Sequence, residues 1–185
     1  MSKREEIIQL ADTLIRQKGY NAFSFYEISD KVGIKTASIH YHFPAKSDLG
    51  IAVVDLHIKN LNGLIENLKS KSPTEKLAKF FSIYSNIQKE SKVCLVGSLA
   101  TDFNTLESKL QDKLKEFSEL MLGWVSSFLE EGKGQKVFQF ESLPRTKALM
   151  IITNMLASVQ LIRLTNTDDF KKIKENITND LIRQV

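Results

Sequence analysis

With 185 residues, 42% of them hydrophobic and 26% charged, the chain has ordinary globular content and enough length for one or two small packed units. That composition excludes a disordered, collagen-like or disulfide-framework chain, and a single cysteine leaves no intrachain disulfide and fits a reducing compartment. A net charge of +4 is compatible with a nucleic-acid partner without requiring one.

The first residues lead into an amphipathic pattern with no secretory apolar stretch, which predicts a cytoplasmic protein. Lys3 to Lys18 reads as a helix with Ile7, Ile8, Ala11, Leu14 and Ile15 on one stripe, acids in its first turn, Lys18 in its last and Gly19 as its stop. Ser24 and Glu27 have the S-x-x-E spacing of a capping box, so a second helix starts at Phe25. It carries Ile28 and Val32 on one face and stops at Gly33, which takes positive φ without a Cβ penalty. A third helix restarts near Lys35 or Thr36 and runs toward Pro44, which disfavours a helical Phe43. Two helices joined by a turn of about three or four residues containing Gly make a helix-turn-helix. On the third helix Ile39 and Phe43 face the core, while Thr36 with His40, and Ala37 with Tyr41, lie on other faces. An ordinary helical hairpin with a wet polar face shares that pattern; the crowding of aromatic and histidine side chains from His40 to Phe43, followed by Pro44 and Lys46, points to a partner.

A long helix from Lys46 to Ser70 follows, with Ile51, Val54, Ile58, Leu61, Ile65 and Leu68 at helical spacing. Ser72-Pro73-Thr74-Glu75 is a second capping box with proline at the first helical position, and its helix turns Leu77, Phe80, Phe81, Tyr84 and Ile87 inward. After a break near Ser91 and Lys92, Cys94 to Ala100 reads as a short buried helix. Asn104 to Glu131 is strongly periodic and is expected to end at Gly132 and Gly134; Val137, Phe138 and Phe140 then tuck a loop against the body. Pro144 opens a helix to Leu164 that is apolar nearly all round: Ala148, Ile152, Met155, Val159 and Ile162 suit the interior, and Leu149, Leu156 and Arg163 call for a further partner. Phe170 to Gln184 closes the chain. The uncharged run from Ala148 to Ile162 is shorter than the roughly 20 residues of a membrane span. The expected fold is all-α with about nine helices: a three-helix helix-turn-helix domain over residues 1–46 and a helical bundle over residues 47–185.

Gly33 through Leu49, with Ser38-Ile39-His40-Tyr41-His42-Phe43, Lys46 and Leu49, resembles the signature of TetR-type transcriptional repressors. The resemblance implies a homodimer that pairs its last two helices with those of its mate and reads a pseudo-palindromic operator in double-stranded DNA. Thr36, Ala37, Ser38 and His40 would then face base edges or a thymine methyl, with Tyr41, His42 and Lys46 on phosphates. Two positions depart from the pattern: His40 stands where the family usually has Tyr, and Lys35 where Ser or Thr often caps the recognition helix. Through Gly50, seven Lys or Arg face six Asp or Glu, so affinity rests on placement. Lys3, Arg4, Lys35 and Lys46 are expected toward phosphate, and Asp12, Glu27 and Asp30 away from it.

The resemblance also implies an effector site in the carboxy-terminal part, where Phe81, Tyr84, Phe117, Met121, Trp124 and Met155 supply adaptable apolar surface. Without the resemblance the same stripes read as core. Val93-Cys94-Leu95 through Asp102 is similar to a segment of the family subgroup that includes the N-ethylmaleimide reductase repressor, with Val93 replacing Gly and Asp102 replacing Glu. Cys94 at a helix start beside Lys92 would have its thiolate stabilised, so release by a small molecule and release by electrophile or oxidant modification of Cys94 both stand. So does an inert buried thiol. His40, His42 and His57 are the only histidines, and no H-E-x-x-H or Gly-rich phosphate loop occurs, so no metal, cofactor or catalysis is expected. The competing class is a helical interaction protein that keeps the fold without sequence-specific DNA binding.

Overall fold

The computed structural model describes residues 1–182. These form nine α-helices and one 3-10 turn, with no strand among them, and none of the helices is long and apolar enough to cross a membrane. The chain divides into two compact units, one of Met1–Leu61 with Cys94–Ser118, the other of Asn62–Val93 with the chain from Glu119 onward.

In the first unit, α1 (Lys3–Lys18) starts on a complete capping box between Ser2 and Glu5, the same S-x-x-E spacing that marks Ser24. α2 (Phe25–Val32) has only half of that device. Ser24 Oγ accepts the Glu27 N–H at 3.2 Å, but the Glu27 carboxylate accepts from Lys18 at 2.7 Å and Lys31 at 3.3 Å. α3 (Thr36–His42) follows, its start at Lys35 carrying no side-chain cap. Ile7, Ala11, Leu14, Ile15, Ile28, Ile39 and Phe43 are buried, the isoleucine, leucine and phenylalanine side chains each contributing about 1.5–3 kcal/mol by leaving water. The unit also takes in α4 (Lys46–Asn67) as far as Leu61, the short helix α6 (Leu95–Thr101), the 3-10 turn Phe103–Thr105, and the start of α7 (Ser108–Gly134). By packing, therefore, the head draws in residues well beyond position 46.

A charged cluster is buried in this unit. His57 Nε2 donates to Asp12 Oδ1 at 2.7 Å and Arg16 to Asp12 Oδ2 at 3.2 Å, which ties α4 to α1. Burial pushes the Asp12 carboxyl up, but the His57 and Arg16 contacts outweigh it and hold the carboxyl below its ordinary value.

The second unit contains α5 (Pro73–Lys89), opened by a complete Ser72–Glu75 capping box with proline in its first turn. It also contains the later part of α7, then α8 (Pro144–Leu161) and α9 (Thr167–Ile182). α8 stops before Leu164, and α9 starts three residues before Phe170; its expected end at Gln184 lies outside the described residues. Phe80, Phe81, Tyr84, Trp124, Phe128, Phe138, Met155 and Phe170 fill this core. Gly132 does not end α7 as expected: the helix runs through it to Gly134. The glycine is there because a Cβ would come within 2.1 Å of the Phe138 ring. The loop thus tucks as expected at Phe138, while Val137 stays exposed.

Gly132→Ala should lower stability by about 1–3 kcal/mol, read from urea denaturation; an unchanged midpoint would contradict the close approach of Phe138. Asp12 adds a pH signature. Because its folded-state pKa is depressed, its contribution is present above its unfolded value of about 3.9 and disappears as pH falls through the lower folded value. Asp12→Asn should therefore cost about 3 kcal/mol at neutral pH, and the gap to wild type should close at acid pH. A pH-independent gap would show that the charge is not what matters.

Candidate nucleic-acid interface

The face presented by α3 follows from the turn that precedes it. Gly33 sits at φ 70°, ψ 40°, which lets its own N–H reach the Asp30 carbonyl at 3.3 Å and the Ile34 N–H reach the Ser29 carbonyl at 3.0 Å. Those two bonds are the paired closure of a helix that ends on a left-handed residue. α3 then restarts with Ile39 fully buried and Lys35, Ala37, Ser38, His40 and Tyr41 exposed.

Each expected contact residue has a defined place. Thr36 is only half exposed, and its hydroxyl shares a 2.9 Å hydrogen bond with Ser29, whose own hydroxyl lies 2.8 Å from the Tyr26 carbonyl. Thr36 thus helps to join α2 and α3. Ala37 and Ser38 are open. The His40 ring lies edge-on to Phe25 at 4.9 Å, with Nδ1 3.3 Å from the Pro44 carbonyl. A carbonyl only accepts, so this contact puts the proton on Nδ1 and leaves Nε2 of the neutral ring as an acceptor. Tyr41 is 85% exposed and its ring packs against that of His42, which is half-buried.

Lys46, expected toward phosphate, has partners within its own unit. Its ammonium donates to the Phe23 carbonyl at 2.6 Å and lies over the rings of Phe23 and Tyr20, 4.3 and 4.9 Å from their centroids. A cation over two ring faces is attracted by their quadrupoles, so this lysine turns into its own unit. Burial lowers its pKa, against the negative charge of Asp102, which favours the ammonium. Arg4 likewise lies over the Phe43 ring at 5.1 Å, and Lys3 pairs with Glu6 at 2.8 Å.

Tyr26 is 75% exposed and escaped the sequence reading. Its signal was present: once Ser24 sets the start of α2, position 26 lies on the side away from Ile28 and Val32 at 100° per residue.

The expected effector residues are distributed over both units. Phe81, Tyr84, Met121, Trp124 and Met155 belong to the second unit and Cys94 and Phe117 to the first. Phe80 stands edge-on to Tyr84 and Trp124, and the Tyr84 hydroxyl reaches the Met121 sulfur at 3.8 Å. Trp124 also borders a recess of about 220 Å³ with Ile65, Glu66, Lys69, Lys76 and Ser127. Phe117 packs against the His57 ring at 5.8 Å. Cys94 is the residue before α6 and is 4% exposed, and the Lys92 ammonium pairs with Glu90 at 2.9 Å.

The profile described as "Bacterial regulatory proteins, tetR family" matches residues 7–53. A TetR transcriptional regulator from Legionella pneumophila is 34% identical, with a TM-score of 0.88 over 98% of both chains. The biofilm operon negative transcriptional regulator IcaR of Staphylococcus aureus is 24% identical over 70% of this chain and 71% of its own. The reduced form of E. coli NemR has a TM-score of 0.83 over 97% of both chains at 17% identity, a likeness of fold alone.

Proposed function

Because the chain belongs to the TetR family of transcription regulators, we propose that it is a homodimeric repressor that reads a pseudo-palindromic operator through α3 and is released by a small apolar effector. The observation that carries the reading is the division of α3 itself. Ile39 is fully buried while Ala37, Ser38, His40 and Tyr41 are bare, on a helix of a size and exposure that suit the major groove.

In this reading Ala37 and Ser38 allow close approach to base edges. His40, protonated on Nδ1, offers Nε2 to the amino group of a cytosine or adenine. Tyr41 and His42, with Tyr26 and Lys35, hold the backbone and set register. Glu27 and Asp12 are occupied by cations of their own unit, so they oppose phosphate less than a formal count suggests. Repression rather than activation is supported by the negative regulator among the relatives.

The dimer reading is supported by α8 and the residues after it, where Leu149, Met150, Leu161 and Leu164 are exposed; several large apolar side chains along one stretch mark an association surface. Two heads joined in this way must meet half-sites about 34–36 Å apart. An effector releases the protein if it binds better to a conformation with another spacing.

For Cys94, burial and the pairing of Lys92 with Glu90 favour a packing role over a sensing one. A thiolate needs access and unneutralised positive charge to react.

A duplex selected by the wild-type protein from a random pool supplies the test. His40→Ala should cost about 1–3 kcal/mol and relax preference at one base position, whereas Tyr41→Ala should weaken all sequences alike. Failure of the wild type to enrich any sequence would refute operator reading, as would a monomer in light scattering at micromolar concentration. Separately, iodoacetamide should label native Cys94 far more slowly than the unfolded chain. Rapid labelling with an apparent pKa well under the free-thiol value of about 8.5 would restore the sensor.

A further inference from the structure

We propose that Asp102, more than fifty residues beyond the reading helix, is a positioning residue that holds α3 in its DNA-reading pose by gripping the turn between α1 and α2. The inference rests on the DNA-binding reading above and concerns how that surface is held in place.

Asp102 ends α6. Its Oδ2 accepts the backbone N–H groups of Tyr20 at 3.0 Å and Asn21 at 3.3 Å, and its Oδ1 accepts the Asn21 side-chain amide at 3.0 Å. The same amide reaches Thr105 Oγ1 at 2.9 Å, and that hydroxyl donates to the Asp102 carbonyl at 2.8 Å. Ser98, four residues earlier and so on the same side of α6, donates to the Ile15 carbonyl at 2.6 Å. That carbonyl also accepts the Gly19 N–H that closes α1. Thus α6 holds the last turn of α1 with one side chain and the turn beyond it with the other.

The far side of the turn leads to α3. Tyr20 and Phe23 present their rings, and Phe23 its carbonyl, to the Lys46 ammonium. Lys46 is the first residue of α4 and lies three positions after Phe43, which ends α3. The end of the reading helix is therefore tethered to the turn whose other end Asp102 grips. The carboxylate acts twice: it satisfies two consecutive backbone donors through charge-assisted bonds, and its negative charge favours the ammonium that burial disfavours. Without that charge the turn loses its acceptor and Lys46 a counter-charge, so α3 is free to tilt although no residue of its exposed face has changed.

Full-length protein labelled with nitrogen-15 tests the clamp without DNA. The Tyr20 and Asn21 amide hydrogens, bonded to the carboxylate, should exchange slowly with solvent in the wild type, and both should exchange about tenfold faster in Asp102→Ala. Affinity for the duplex selected by the wild type tests the consequence. Asp102→Asn and Lys46→Met should each weaken binding about tenfold, the double variant should lose less than the product of the two, and Asp102→Glu should recover part of the loss. Tyr20 and Asn21 amides that exchange equally fast with and without the Asp102 side chain, an Asp102→Asn protein that binds as wild type does, or losses that multiply independently would each overturn the proposal. If the wild type selects no duplex, the DNA-binding reading fails, and the amide exchange still decides whether the clamp exists.

Discussion

Every feature of the reading head depends on how the chain reverses between α2 and α3. Gly33 adopts a left-handed backbone, and the two N–H bonds it permits close α2 and redirect the chain before Thr36. A β-carbon there would work against that backbone. With the start of α3 set, Ile39 goes into the core and its neighbours in sequence, Ser38 and His40, face outward. A one-residue shift would bury a polar side chain and expose an isoleucine, so packing and presentation are selected together.

Formal charge is a poor guide to this head because its acids are turned to internal work. Asp12 bridges Arg16 and His57, Glu27 takes Lys18 and Lys31, and Asp102 accepts backbone donors of the α1–α2 turn. Lys46 is drawn inward in turn by two rings and a carbonyl. Removing one member of a partly buried group strands its partner, which costs more than the pair contributes. These residues therefore set geometry, and the outer face is left to Lys35, Ala37, Ser38, His40 and Tyr41.

Much of the architecture was legible before any coordinates. Ser24, Gly33 and Pro44 bracket the helix-turn-helix, Ser72 with Pro73 opens α5, and the stripe of α1 matches its buried residues. Those signals lie within one or two helical turns of the groups they satisfy. Less legible were Gly132, which resembles a helix stop but makes room for Phe138, and Lys46, which resembles a phosphate contact but faces aromatic rings. The aromatic and thioether side chains had correct burial but no visible grouping, since helical spacing tells which side faces in without telling which helix it meets. Phe117 accordingly packs on His57, and Phe80 on Tyr84 and Trp124.

By itself the sequence determined where α1, α2 and α5 begin, which stripe of α1 is buried, and that one segment is a helix-turn-helix. These follow from hydrogen bonds and periodicities spanning three or four residues, and they are written wherever the residues are. Only the tertiary structure decided what holds that segment in place. The contacts of Asp102 with Tyr20 and Asn21, of Ser98 with Ile15 and of His57 with Asp12 join residues far apart in the chain. A carboxylate has no periodicity to announce its partner, and its donors are decided when packing brings two helices together.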